Sequence, residues 1–115
     1  MGWRMKRGDI YFAQLDPTLG SEIQKTRPVV IVSNDSANRA SSLVTVVPLS
    51  SSTSRVFPFE VLLESDATGL NKSSKAMAQH VRTLNKARLS SKRSGVVSSA
   101  LILVLDDALR LHLSL

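Results

Sequence analysis

The chain has 115 residues, of which 43% are hydrophobic, so it is long enough for one domain with a modest core and too short for two. Its formal net charge of +6 favours an anionic partner: nucleic acid, an anionic membrane or an acidic protein segment. Without cysteine it has neither a disulfide framework nor a thiolate metal site. The longest wholly apolar run, residues 100–105, is far below the about 20 residues of a membrane span, so we expect one cytoplasmic domain over residues 1–115.

Short strands bounded by turn-forming residues dominate most of the chain. The predicted strands are residues 9–15, 27–33, 43–49, 57–63 and 74–84. In the fourth of them, apolar and polar residues alternate except at Leu62, which is typical of an antiparallel strand with Glu60 on a wet face. Five strands at this spacing predict a mainly β protein built on a small antiparallel barrel.

Two helices accompany the strands. A short one is predicted over residues 35–40, and Ser98 is the predicted N-cap of a longer terminal helix. The apolar face of this terminal helix consists of Leu101, Leu105, Ala108, Leu109 and His112. Asp106 and Arg110 on its polar face have the i,i+4 spacing of a helical ion pair.

The passage into the second strand fixes the position of one arginine. Pro28 sets its own φ and drives Arg27, the residue before it, towards an extended conformation. A guanidinium held at a strand edge suits a phosphate, because it presents several N–H donors in a planar fork. Residues 72–93 hold seven lysines and arginines and no acid, so a strongly positive surface is also predicted.

The remaining reactive residues narrow the chemistry. His80 and His112 lie far apart in sequence without a carboxylate cluster of metal-ligand type, and neither a nucleophile elbow nor a phosphate-binding glycine loop is present. Arginine, hydroxyls, one glutamate and one histidine suit metal-free RNA cleavage, in which the 2′-OH of the substrate attacks the neighbouring phosphate. Arg27 is the leading donor to the negative charge that develops on the phosphorane.

Seven short segments, taken in order, are similar to one family. They are KRGDIYF (6–12), GSE (20–22), RPVVIV (27–32), ND (34–35), NR (38–39), VRTL (81–84) and KARL (86–89). Together they resemble the MazF/PemK toxins of bacterial toxin–antitoxin modules, and the resemblance covers residues 6–113, nearly the whole chain.

This resemblance implies a homodimer with the Src-homology-3-like small barrel of the CcdB/MazF type and a C-terminal helix. It also implies an endoribonuclease, an RNA phosphodiester hydrolase that cuts single-stranded mRNA at a short sequence without metal, cofactor or ribosome. The products would be a 2′,3′-cyclic phosphate and a 5′-OH, and cleavage would inhibit translation and growth. A cognate antitoxin would neutralise the toxin by laying an acidic C-terminal segment across the RNA site.

The resemblance also assigns site residues. It makes Arg27 catalytic and places Ser50, where many relatives have threonine, against the scissile phosphate. Arginine is protonated at ordinary pH and is therefore poorly suited to accept the 2′-OH proton. Two candidate bases remain: Glu22, in the loop before Arg27, and His80, whose alternative role is to contact RNA by stacking or hydrogen bonding. The candidate RNA-binding residues are Ser21, Glu22, Asn34, Arg55, Gln79, His80 and Arg82.

Aromatic residues make up only 4% of the chain, so Phe57 and Phe59 are predicted to be core residues and an extended stacking platform is not expected. Two other functions stay open. A CcdB-like gyrase poison shares the barrel, but it depends on a C-terminal Trp-Gly-Ile, whereas this chain ends in LHLSL. A catalytically silent RNA-binding barrel would result if Ser50, or the Gln79–His80 departure from the family pattern, disabled the site.

Overall fold

Seven strands are present in the computed structural model, which describes residues 4–23 and 25–115. The strands are β1 (Asp9–Gln14), β2 (Thr26–Ile31), β3 (Leu43–Ser50), β4 (Glu60–Leu63), β5 (Ser74–Met77), β6 (Arg82–Asn85) and β7 (Gly95–Val96). The helices are α1 (Asp35–Ala40), α2 (Ser65–Thr68) and α3 (Ser99–Leu113), and single 3₁₀ turns occur at Ala78–His80 and Lys86–Arg88.

All strand pairs are antiparallel. The sheet order is β4-β5-β3-β2-β1-β7, and β6 pairs with the first half of β3. The sheet forms a half-barrel with a C-terminal helix, which confirms the predicted fold class although the strands outnumber the five predicted. β2 lies in the middle of this sheet, between β1 and β3.

Both faces of the sheet carry a buried apolar cluster. Val30 and the buried residues Ile102, Leu105 and Ala108 of α3 belong to one cluster, while Val29 belongs to the other. Successive residues of a strand point to opposite faces, so the apolar run in β2 serves both clusters. Each of these large side chains contributes about 1.5–3 kcal/mol when it is fully buried. The rigid middle of β2 therefore anchors the strand end that carries Arg27.

The predicted helix boundaries are confirmed, but the predicted helical ion pair is wrong. Ser98 caps α3 by accepting a hydrogen bond from the backbone N–H of Leu101. Asp106 pairs with Arg7, which also donates to the carbonyl of Val32, while Arg110 pairs with Asp107 at 3.0 Å. Asp106 faces the start of β1, so a contact between elements replaces the local pair.

The predicted strand over residues 74–84 is wrong as a continuous element, because the Ala78–His80 turn divides it into β5 and β6. β5 pairs with the end of β3 and β6 with its beginning. Between the two pairings, Val47 and Pro48 of β3 stand against residues 77–81. Since Pro48 has no N–H to donate to a ladder, the opposing chain lacks one of the hydrogen bonds that would keep it in register there. Gln79 and His80 therefore leave the sheet.

The predicted strand over residues 57–63 begins only at Glu60. Phe57 and Phe59 are half-buried residues before it, outside both buried clusters. Glu60 and Leu62 share the outer face of β4, as the alternation indicates, but only Leu62 is exposed. Glu60 is 6% exposed, so the expectation of a wet glutamate is wrong.

Candidate active site

Arg27 is delivered to the sheet by a sharp change of backbone direction. Lys25 adopts a left-handed φ of 71°, which is uncommon for a residue other than glycine. Its backbone N–H donates to Asp16 Oδ1 at 3.2 Å, and its carbonyl accepts from the N–H of Leu15 at 3.1 Å. These bonds tie the two ends of the β1–β2 loop together. Arg27 then enters β2 at the strand edge, as the Arg-Pro step predicts, and its side chain is half-buried.

Arg27 and Ser50 lie at the same end of two adjacent antiparallel strands. The β2–β3 ladder ends at the pair Val29–Pro48, and β3 continues to Ser50, its last residue, which pairs with Lys75 of β5. On its other side Arg27 pairs with Ala13 of β1. Because the start of β2 and the end of an antiparallel β3 meet at one end of the sheet, a guanidinium and a hydroxyl are brought into the same region.

Two cavities adjoin this strand end. The larger, about 520 Å³, is lined by Arg27, Lys25 and Lys72 together with the apolar residues Phe12, Pro28 and Leu49. The second, about 390 Å³, is lined by Glu22, Ile23, Gln79, His80, Val81 and Arg82. The smaller cavity is the more informative, because it brings together four candidate residues from two separate segments. Arg27 lines the larger cavity, and its charge also acts on His80 in the smaller one.

The loop that carries Ser21 and Glu22 is closed by its own hydrogen bonds. Glu22 Oε1 accepts from the N–H of Leu19 at 2.9 Å, and the Glu22 N–H donates to the Leu19 carbonyl at 3.1 Å. Gly20 supplies the left-handed φ of 56° that this tight turn needs. The carboxylate of Glu22 is therefore held by its own turn while lining the smaller cavity.

The surroundings of His80 favour its neutral form. Burial lowers its pKa most; the carboxylates of Glu60 and Glu22 raise it, and the charges of Arg27 and His112 lower it further. The net pKa lies below the ordinary value of 6.5, so at neutral pH the imidazole is unprotonated and one of its nitrogens can accept a proton.

Glu60 binds the side chain of Gln79, which lines the smaller cavity. Its carboxylate accepts from Gln79 Nε2 at 2.6 Å, from the Phe57 N–H at 3.0 Å and from Lys75 Nζ at 3.1 Å. Burial raises the pKa of Glu60, but these three donors outweigh it and hold the pKa below its ordinary value. Because the charged carboxylate only accepts hydrogen bonds, it fixes which end of the Gln79 amide faces it.

The other candidate residues are distributed differently. Arg82 lines the smaller cavity and donates to the Leu15 carbonyl at 3.1 Å, which braces the β1–β2 loop. Arg88 donates to the Asp16 carbonyl at 2.8 Å, so part of the basic stretch serves the fold. Asn34 caps α1 by accepting from the Ala37 N–H at 2.8 Å, and it lines neither cavity described above. Arg55 is exposed on the β3–β4 loop.

The sequence reasoning missed Glu60 and His112 as members of this region. The available signal for Glu60 was Leu62, an apolar residue on the predicted wet face of the same strand. An apolar residue there indicates that other parts of the protein can pack on this face. For His112 the available signal was its place on the predicted apolar face of the terminal helix, but its proximity to Phe59 depends on how α3 packs on the sheet.

Residues 4–23 and 25–115 contain no group of three or more histidine, aspartate or glutamate residues arranged to hold a metal ion. Within the same residues, every helix is too short or too polar to cross a membrane.

The fold and the site define a small antiparallel half-barrel domain with an arginine at the end of a central strand. A family model described as the PemK-like, MazF-like toxin of type II toxin–antitoxin systems matches residues 6–113. The chain belongs to this family, which confirms the resemblance seen in the sequence.

Known relatives cover almost the whole chain. It is 44% identical to endoribonuclease MazF9 of Mycobacterium tuberculosis, over 96% of this chain and 98% of the relative. It is 33% identical to endoribonuclease EndoA of Bacillus subtilis, over 96% of each chain. Among solved structures, MazF from Deinococcus radiodurans shares the fold with a TM-score of 0.86 at 20% identity, covering 99% of this chain and 100% of that one. A mycobacterial endoribonuclease in complex with its cognate antitoxin has a TM-score of 0.76 at 28% identity, covering 96% and 95%.

Proposed function

We propose that this protein is a toxin–antitoxin endoribonuclease that cuts single-stranded mRNA at a short sequence, without metal or ribosome, and so inhibits translation and growth. The observation that carries the proposal is that the start of β2, with Arg27, and the end of the adjacent antiparallel β3, with Ser50, lie at one end of the sheet, with His80 close enough to feel the charge of Arg27. Family membership and the names of the relatives, endoribonuclease MazF9 and EndoA, support it.

Arg27 and Ser50 bind the scissile phosphate. As the 2′-oxygen attacks phosphorus, negative charge grows on the non-bridging oxygens, and a fixed guanidinium there stabilises the phosphorane more than the ground state. Loss of one such donor typically costs about 3 kcal/mol of transition-state stabilisation. The hydroxyl of Ser50, whose Oγ accepts from the Ser52 N–H at 3.1 Å, keeps its proton available for a phosphate oxygen.

The 2′-OH proton goes to a group beside Arg27. A lowered pKa keeps His80 neutral and able to accept it, whereas the carboxylate of Glu22 already accepts a hydrogen bond from Leu19. We therefore place His80 first and Glu22 second as the base. The P–O5′ bond breaks as the 5′-oxygen takes up a proton, leaving a 2′,3′-cyclic phosphate and a 5′-OH.

Residues in and next to the smaller cavity bind the RNA chain. Gln79 and Arg82 line this cavity, and Ser21 precedes Glu22 in the loop beside it; they would contact splayed bases and phosphates of a single strand. Asn34 and Arg55 extend the set on the flanking loops.

The proposed partners are inferred from the positive net charge of the chain and from its family. The protein acts in the cytoplasm as a homodimer and is neutralised by a cognate antitoxin with an acidic C-terminal segment. The larger cavity fits such a segment, because Lys25 and Lys72 stand beside apolar Phe12 and Leu49 and could receive an apolar side chain flanked by acids. The relative solved with its cognate antitoxin supports this partner.

The test incubates the purified protein with mixed-sequence RNA in excess EDTA, maps the cut sites and assays the 3′ ends. The expected result is cutting at one short motif with 2′,3′-cyclic phosphate ends. Loss of cutting in the chelator, or plain 3′-OH ends, would contradict the mechanism. Binding of RNA without any cutting would instead support the silent RNA-binding barrel.

A further inference from the structure

Four side chains form a continuous row from the β3–β4 loop to the end of α3. The guanidinium carbon of Arg55 lies 4.7 Å from the ring centroid of Phe57. Phe57 and Phe59 are stacked, with centroids 5.4 Å apart and planes 5° from parallel. Phe59 then meets His112 at 6.2 Å with the rings tilted by 42°. A planar cation thus ends an ordered aromatic stack.

Further contacts hold Arg55 in this place. Lys75 Nζ donates to the Arg55 carbonyl at 2.8 Å and lies 5.9 Å from the centroid of Phe57. The Phe57 N–H donates to Glu60 at 3.0 Å, so the ring beneath the guanidinium is also fixed. An arginine side chain loses rotamer entropy when it is ordered. Because Arg55 is already ordered over Phe57, part of this entropy is lost before any ligand binds, which favours binding by the guanidinium plane.

The row continues into the region that surrounds His80. α3 packs against the Ala78–His80 turn, and the charge of His112 reaches His80. Glu60 bonds both Phe57 and Gln79, which joins the base of the stack to the smaller cavity. The stack and the candidate active site are therefore parts of one surface.

We propose that the outer face of the Arg55 guanidinium is a stacking subsite for one RNA base, at a nucleotide removed from the scissile phosphate. This inference rests on the proposed function. Arg55 is exposed and one of its faces covers Phe57, so the other face is directed to solvent. Guanidinium planes and aromatic rings stack unpaired bases, whereas an acidic peptide would use the charge of Arg55 without needing its plane.

The substitution Arg55→Lys separates these uses, because it keeps the charge and removes the plane. The probe is an RNA that carries the cleavage motif with a 2′-deoxy nucleotide at the cut, which removes the attacking hydroxyl. A series of such RNAs, each with a single abasic nucleotide, is titrated by fluorescence anisotropy. With the parent protein, one abasic position away from the cut should weaken binding by at least about fivefold.

In Arg55→Lys that single penalty should vanish, while the penalties at all other positions and the salt dependence of binding stay the same. The matched control is Arg39→Lys at an exposed position in α1, which should leave the whole profile unchanged. An abasic profile identical in Arg55→Lys and the parent would overturn this inference alone. The inference would also be overturned if Arg55→Lys lost affinity for an acidic peptide but not for the RNA. Absence of RNA binding by the parent protein would instead contradict the proposed function.

Discussion

Glu60 Oε2 accepts a hydrogen bond from Gln79 Nε2 at 2.6 Å, and this bond fixes the orientation of the Gln79 amide. With its nitrogen turned to Glu60, Gln79 leaves Oε1 buried without a hydrogen-bond donor among the residues that the structure describes. Buried acceptors of this kind are rare in native proteins. The pair therefore links a structural carboxylate to a side chain of the smaller cavity.

We expect Glu60→Gln to lower the free energy of unfolding by about 1–3 kcal/mol, because it replaces a buried charged acceptor of three donors with an amide. Urea unfolding at neutral pH measures this. The pKa of Glu60 is lowered in the fold, so its contribution is present above the ordinary value of 4.5 and is lost as pH falls through the folded pKa. The difference between parent and variant should therefore shrink in acid. A difference that does not change with pH would contradict a charged Glu60.

The pH dependence of cleavage tests His80. Its pKa lies below 6.5, so the proton-accepting form is complete by neutral pH, and kcat/KM should rise through the acid range to a plateau. His80→Gln should flatten that rise. Glu22→Gln is the companion variant, since a rise that survives in His80→Gln and disappears in Glu22→Gln would assign the base to the glutamate. A profile unchanged by His80→Gln would restrict His80 to binding.

Ser50 should depend on its hydroxyl. Ser50→Ala removes a donor to the scissile phosphate, and we expect kcat to fall by about 10²–10³-fold. Ser50→Thr retains the hydroxyl and should stay within about tenfold of the parent rate, which corresponds to about 1.4 kcal/mol in the barrier. Single-turnover cleavage of one RNA measures both. Equal rates for the alanine and threonine variants would contradict a role for this hydroxyl.

The packing of α3 on the sheet is tested by two leucines of the same helix. Leu105 is 1% exposed, so Leu105→Ala should cost about 2–5 kcal/mol of unfolding free energy. Leu103 is 64% exposed, and Leu103→Ala should change stability by less than about 0.5 kcal/mol. Unfolding at low protein concentration measures both. A large loss from Leu103→Ala would show that this position is buried in an assembly.

Much of the fold was predictable because the signals are local. The apolar run after Arg27-Pro28 specifies a central strand, and the caps Asn34 and Ser98 begin helices where the sequence indicates. Ser50 was assigned to the end of the third strand by the family resemblance, because the local pattern ended that strand at residue 49. Local signals therefore placed Arg27 at its strand edge, and the resemblance placed Ser50.

The rest depends on contacts between distant segments. The turn at Ala78–His80 lies where β3 changes its partner from β6 to β5, opposite Pro48. Pro48 is far from His80 in the sequence, so the residues around His80 could not predict the turn. Glu60 is buried by residues 15 and 19 positions further along the chain, Lys75 and Gln79. Local alternation assigned Glu60 to the correct face but could not show that this face is covered.

The most direct measurement compares the single-turnover RNA cleavage rate of Arg27→Ala with that of the parent, after circular dichroism and thermal unfolding have shown that both proteins are folded. Because Arg27 stabilises the phosphorane, the variant should cleave at less than about one-hundredth of the parent rate. Exposed Arg39→Ala is the control and should cleave at the parent rate. A folded Arg27→Ala protein that cleaves at near-parent rate would show that the catalytic centre lies elsewhere.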